Sequence, residues 1–105
     1  MPDASHLLMV SAQVDPAIEN DWNDWYDKVH LPEISDCPGF LSGARFLAVD
    51  ENGRRHYLTV YELSDPGALK TAEFGARRGW GPFVGKVTYQ SRCYSRLGGE
   101  TEGEK

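Results

Sequence analysis

The residues best suited to chemistry lie in one short stretch, residues 17–30 (AIENDWNDWYDKVH). Trp22, Tyr26 and His30 recur at every fourth position, so an α-helix sets them in one stripe, with Trp25 and Val29 beside it. An imidazole titrates close to neutral pH and can act as general acid or base. Indole and phenol rings around it would make a largely apolar pocket with a few directed polar groups, the usual make-up of a small-molecule site. His30 is therefore the candidate proton-transfer group, and Tyr26 the candidate for orienting or polarising a substrate oxygen. Trp22 and Trp25 are candidate pocket walls. At the end of a helix closing at residue 30 the helix dipole would favour the imidazolium, and burial would oppose it. The plainer use of the same stripe is structural: the rings form the core face of the helix and His30 bonds a free carbonyl at its end.

Other polar and aromatic side chains fall outside this stretch. Alternation along residues 55–63 puts Tyr57, Thr59 and Tyr61 on one strand face and His56, Leu58, Val60 and Glu62 on the other. Whichever face meets the helices contributes to the pocket, and Tyr61 is a candidate there. Tyr89 offers a further pocket hydroxyl. Trp80 and Phe83 sit in a glycine-flanked segment (GWGPFVG, 79–85) that suits either a lid over a substrate or a loop dropping two rings onto the core. Arg45 would neutralise a carboxylate or enolate, or pair with a surface acid. Cys37 lies seven residues from His30, but nothing fixes a contact between them. The three histidines, His6, His30 and His56, stand 24 and 26 residues apart and match no local ligand spacing, so no metal is expected.

These residues need elements to position them. Residues 6–14 (HLLMVSAQV) are β-prone, and Asp15-Pro16 then supplies a helix start, with Asp as cap and Pro at the first helical position. Pro32 stops or bends the helix, leaving 31–38 as a connection. Residues 39–49 and 55–63 read as two strands around an Asn-Gly turn, a hairpin signal. A second helix is expected over 66–75, an irregular loop over 75–85, and a fourth strand over 86–97. The order β-α-β-β-α-β is the ferredoxin-like α+β arrangement: a four-stranded antiparallel sheet with both helices on one face. The other face is expected to mix Tyr57, Tyr61, Leu41 and Leu47 with Ser11, Gln13, Arg45, Thr59 and Arg92, a composition that suits packing on a second sheet. No internal repeat supplies that sheet, so a homodimer is expected.

Three segments together, Trp22-x-x-Trp25-Tyr26-Asp27-x-x-His30-x-Pro32, Cys37-Pro38-Gly39-Phe40 and Tyr57 to Leu63 (YLTVYEL), resemble EthD-like members of the dimeric α/β-barrel superfamily. The resemblance covers roughly residues 6–97. It implies a homodimer whose two sheets close into a barrel, with a pocket in each protomer between sheet and helices. The superfamily includes cofactor-free cyclases, isomerases and monooxygenases, and haem-binding enzymes, so it supports the fold more than any one reaction. Related cyclases place a histidine in the pocket from the first strand, which makes His6 a candidate; an exposed His at a strand start is the plainer reading.

The chain has 105 residues, enough for one domain, expected over 1–97, with a disordered acidic tail over 98–105. A formal net charge of -5 argues against nucleic-acid or anionic-membrane partners. The doublets Arg54-Arg55 and Arg77-Arg78 read as solvated charge. No apolar run spans a membrane, and two isolated cysteines without a signal-like N-terminus point to reduced thiols in the cytoplasm. The expected function is a cofactor-independent acid/base step, such as cyclisation, isomerisation or another lyase-type reaction, on a small hydrophobic cyclic or aromatic metabolite. The alternatives are a monooxygenase, cofactor-free or with haem on His30, and a non-catalytic dimeric binding module.

Overall fold

The protein is described by a computed structural model over residues 5–98. The tail expected over 98–105 lies, apart from Gly98, outside the described residues. Strands β1 (His6–Val14), β2 (Phe40–Val49), β3 (Arg55–Leu63) and β4 (Val87–Ser95) form one antiparallel sheet in the order β2-β3-β1-β4. This is the ferredoxin-like α+β fold. No helix among the described residues is long and apolar enough to cross a membrane.

The first helical region differs from expectation. Asp15 Oδ1 accepts the Ala17 N–H (2.8 Å) and so closes a turn; α1 (Glu19–Trp25) begins only afterwards. A π turn (Tyr26–His30) follows, and then α2 (Leu31–Ser35). The helix therefore runs through Pro32 instead of stopping there. In a regular α-helix the proline ring would press on the carbonyl of Lys28. The π turn relieves this, because the Leu31 N–H reaches back five residues to the Tyr26 carbonyl. His30 is thus inside a helical run and not at its C-terminus, so the expected dipole effect does not apply.

The expected single helix over 66–75 is split into a 3-10 segment (Pro66–Lys70) and α3 (Ala72–Arg77). Thr71 is extended between them and caps α3, its Oγ1 accepting the Phe74 N–H at 3.1 Å. A last 3-10 turn (Gly81–Phe83) leads into β4.

Register settles the faces of the sheet. Leu8, Ala12, Tyr57, Thr59, Tyr61 and Leu63 are buried beneath the helices. Arg45, paired with Thr59, shares their side. Tyr57, Thr59, Tyr61 and Arg45 are therefore not on the open face, as expected from sequence, but on the covered one. The open face carries Leu7, Met9, Phe46, Leu58, Val60 and Tyr94, with Ser11, Gln13 and Arg92 among them. Period-two alternation sorts residues into two sets but does not say which set the helices cover. Leu47, paired with Tyr57, also belongs to the covered side but is exposed on the edge strand, and Leu41 lies exposed at a β-bulge.

The covered side has two core clusters. One is mainly aliphatic and includes Leu8, Ile34, Phe40, Leu63 and Phe74, with Tyr61. The other is aromatic: Trp22, Tyr26, Tyr57 and Trp80 around Ala12.

Candidate active site

His30 is buried (6% exposed), and its Nδ1 lies 3.2 Å from Glu33 Oε1. The Trp25 ring stacks on the imidazole at 4.7 Å and 14°. Residues five apart do not share a face of an α-helix; the π turn is what brings this pair together. Trp25 is held in turn by Phe83, 5.5 Å away, and by Gly81, which sits at φ 51°. A Cβ on Gly81 would stand 2.9 Å from Trp25 Cζ2, so this position needs glycine for both its backbone and its contact.

Tyr26 is fixed from two sides. Its Oη accepts the Thr59 hydroxyl at 2.9 Å, and the Arg45 guanidinium lies 4.2 Å from its ring centroid. Arg45 donates to Asp27 and Asn23, each at 2.8 Å. Arg45 is thus a structural clamp and does not line the cavity. Tyr61 crosses β2 at Gly43, where a Cβ would meet its ring at 2.9 Å. The Tyr61 hydroxyl is buried with no hydrogen-bond partner among the described residues. The Tyr26 hydroxyl stands close by and acts on it through charge and through a loose side-chain contact that falls outside good hydrogen-bonding geometry.

Between the two clusters lies a cavity of about 180 Å³. Of the residues singled out from sequence, Tyr26, His30, Tyr61, Trp80 and Tyr89 line it. Four do not. Trp22 is fully buried, edge-on to Tyr26 and Tyr57, and belongs to the core. Trp25 and Phe83 stand behind His30. His6 lies at the end of β1, its Nδ1 3.1 Å from Ser95 Oγ. Trp80 is 8% exposed and packs on the core, so segment 79–85 is the loop that drops rings inward. The aliphatic wall (Leu8, Val10, Ile34, Leu69) and Phe74 were not singled out, nor was Arg78 at the rim. Alternation along β1 could have found Leu8 and Val10; nothing local marks the others.

Electrostatics sort the titratable groups. Burial lowers the His30 pKa from its ordinary 6.5, and Glu33 opposes that through its hydrogen bond and its charge. The ring is therefore neutral near pH 7. With Glu33 accepting the Nδ1–H, the Nε2 lone pair is the free one, on a ring that lines the cavity. Burial pushes both Tyr26 and Tyr61 upward, so both phenols stay protonated. Burial also raises the Cys37 thiol, whose sulfur donates to the Glu33 carbonyl at 3.6 Å, which makes it a poor nucleophile. His56 pairs with Asp50 (2.9 Å) at the surface. Among the described residues no group of three His, Cys, Asp or Glu side chains is placed to hold a metal.

This geometry offers a neutral, oriented base and an unpartnered phenol in one apolar cavity. The fold recurs in solved structures. A dimeric ferredoxin-like protein from an uncultured marine organism is 13% identical, with a TM-score of 0.66 over 90% of this chain and 96% of that one. SnoaB, a cofactor-independent oxygenase from Streptomyces nogalater, is 14% identical, with a TM-score of 0.63 over 94% and 100%. An EthD family protein from Bacillus halodurans is 16% identical, with a TM-score of 0.61 over 83% and 96%. At these identities the likeness is one of fold, and it agrees with the EthD-like resemblance seen in the sequence. Among proteins of curated function none matches the sequence. One family model covers nearly the whole chain, residues 5–102, and by it the chain belongs to the family of the domain of unknown function DUF4286.

Proposed function

We propose that this protein is a small enzyme that removes a proton from an enolisable or phenolic ring, with His30 Nε2 as the base. The observation that carries this reading is the His30 site: a cavity-lining imidazole made neutral by burial and held in one tautomer by Glu33. Tyr61, whose hydroxyl has no well-formed hydrogen bond among the described residues, is the donor for the substrate oxygen that becomes an enolate or phenolate. Tyr26 shapes the wall beside it.

The anion so formed has two fates. It rearranges or expels a leaving group, as in a cyclase or lyase. Alternatively a ring carbon bonds to O₂, and the hydroperoxide loses water to leave a quinone or ketone. The fold neighbours favour the second fate, since one is described as a cofactor-independent oxygenase. Haem is not part of the reading. About 180 Å³ is below the ~300–1,000 Å³ of ordinary ligand pockets, and Trp25 and Trp80 crowd His30 at 4.7 and 5.8 Å. The protein would act as a homodimer joined through the open sheet faces, as the dimeric neighbour suggests. Two free thiols fit a reducing compartment such as the cytoplasm.

The test is a panel of single-ring phenols and cyclic ketones, followed by O₂ uptake and by solvent deuterium incorporation. His30→Ala is expected to lower the rate by roughly 10²–10⁴-fold with an unchanged circular dichroism spectrum. O₂ uptake selects the oxygenase; deuterium exchange or product without O₂ selects the lyase. No turnover by the wild type, or full activity in His30→Ala, overturns the reading.

A further inference from the structure

The proposed base does not by itself say what the substrate carries besides a ring. The cavity is small: about 180 Å³, close to the ~150 Å³ cavity known to take up benzene. A single six-membered ring fills it. Its deep wall is aliphatic, from Leu8, Val10 and Ile34, and gives a ring no direction. Direction comes from two polar groups.

The first is the Tyr61 hydroxyl. Tyr61 is 2% exposed, its ring lines the cavity, and its Oη is buried with no well-formed hydrogen bond among the described residues. Leaving a buried hydroxyl unsatisfied is unfavourable, and a ligand oxygen would relieve that. The second is Arg78. It is exposed at the rim, and its guanidinium lies 5.6 Å from the Phe74 ring centroid. Its backbone N–H donates to the Phe74 carbonyl at 2.9 Å, but its guanidinium makes no ion pair or hydrogen bond among the described residues. Its neighbour Arg77 is tied down, donating to the Glu33 carbonyl at 3.1 Å and lying 3.7 Å from Asp36. The two arginines, alike in sequence, are thus not equivalent: one braces α2 and the other is a free cation at a cavity mouth. Gly79, at φ 106°, turns the chain between Arg78 and Trp80, both of which line the cavity.

We propose that the substrate is a single-ring carboxylic acid bound end-on, with its carboxylate on Arg78 at the mouth and a ring hydroxyl or carbonyl on Tyr61 Oη in the interior. This rests on the reading of the cavity as the active site and deepens it. A planar guanidinium grips a carboxylate through two parallel N–H···O bonds, a recognition that a neutral amide of the same shape does not receive. The chain carries a net charge of -5, so its overall field does not attract anions; the preference must come from this local cation.

The probes are 4-hydroxybenzoate, 4-hydroxybenzamide and benzoate, titrated into the full chain by calorimetry, with Trp80 fluorescence as a second readout. 4-Hydroxybenzoate is expected to bind at least roughly fivefold tighter than 4-hydroxybenzamide. Arg78→Gln removes that difference, and Tyr61→Phe removes the advantage of 4-hydroxybenzoate over benzoate. His30→Ala leaves the carboxylate preference in place. Equal binding of acid and amide, a preference that survives Arg78→Gln, or no binding of any probe each overturns the proposal. Because the readout is binding, it stands apart from the fate of the base: selectivity with no turnover in the phenol and ketone panel would sink the catalytic reading alone.

Discussion

The two faces of one sheet put the same alternation to different ends. On the covered face Leu8, Ala12, Tyr57, Thr59, Tyr61 and Leu63 lie under the helices, with Arg45 folded in among the rings. Its polar atoms are mostly placed: Thr59 on Tyr26, and Arg45 on Asp27 and Asn23. The exception on a ring that lines the cavity, the buried Tyr61 hydroxyl, is where a ligand is proposed to bind. The open face presents Leu7, Met9, Phe46, Leu58, Val60 and Tyr94, and Phe46 is 55% exposed. The comparison teaches that apolar residues on a strand face make a site only where helices close over them. On the uncovered side the same chemistry asks for a second protein surface.

The contrast breaks most sharply at Trp22, which is 0% exposed and touches Tyr26, Tyr57 and Trp80. Trp22→Ala is expected to destabilise the chain by about 3–5 kcal/mol, read by urea denaturation; a loss below ~1 kcal/mol would mean the aromatic cluster does not hold the covered face. On the open face, Phe46→Glu should leave the folding of the single chain within about 0.5 kcal/mol. It should weaken the proposed dimer by roughly ten- to hundredfold in Kd, since two-fold symmetry brings the new charge in from both subunits. Sedimentation that gives a monomer for the wild type, or an unchanged dimer for the variant, counts against that face as the interface.

The smallest effect sharpens the covered face. Glu33 raises the His30 pKa against the lowering by burial, so Glu33→Gln should let it fall further. The acid limb of kcat/KM then moves to lower pH, while the plateau drops by roughly tenfold or less as the tautomer loosens. Stability follows the same sign. A depressed folded-state value means that His30 supports the fold above its ordinary 6.5, and that this support is lost as pH falls through 6.5 toward the folded value. In Glu33→Gln that loss should be larger. An acid limb that moves upward would contradict the pairing.

Much of this is legible in the sequence. Four strands, their order, the hairpin at Asn52-Gly53 and the helical stripe through Trp22, Tyr26 and His30 follow from local pattern and turn chemistry. Five of the nine candidate site residues line the cavity. What stayed hidden has particular causes. Pro32 read as a stop, because a π turn leaves no mark in composition. The stripe rule put Trp22 in the pocket, because spacing does not distinguish a core face from a cavity wall. Arg78 looked like its neighbour, because only the fold separates a braced arginine from a free one. Tyr61 was singled out, but its side of the sheet depended on which face the helices chose.

The π turn also bears on how length variation in this chain should be weighed. A residue gained or lost in the surface turn at 50–53 is absorbed where the chain is exposed. Losing one residue between 26 and 30 would close the run as a regular α-helix, the five-residue reach from Leu31 to Tyr26 becoming a four-residue one, so the residues beyond would keep their faces. Trp25 and the imidazole, then four residues apart, would still share a face, but the proline ring would press on the carbonyl four residues back. In an alignment, a one-residue gap at this point would mark the same site carried on a regular helix, and it is expected in chains that lack the proline at 32.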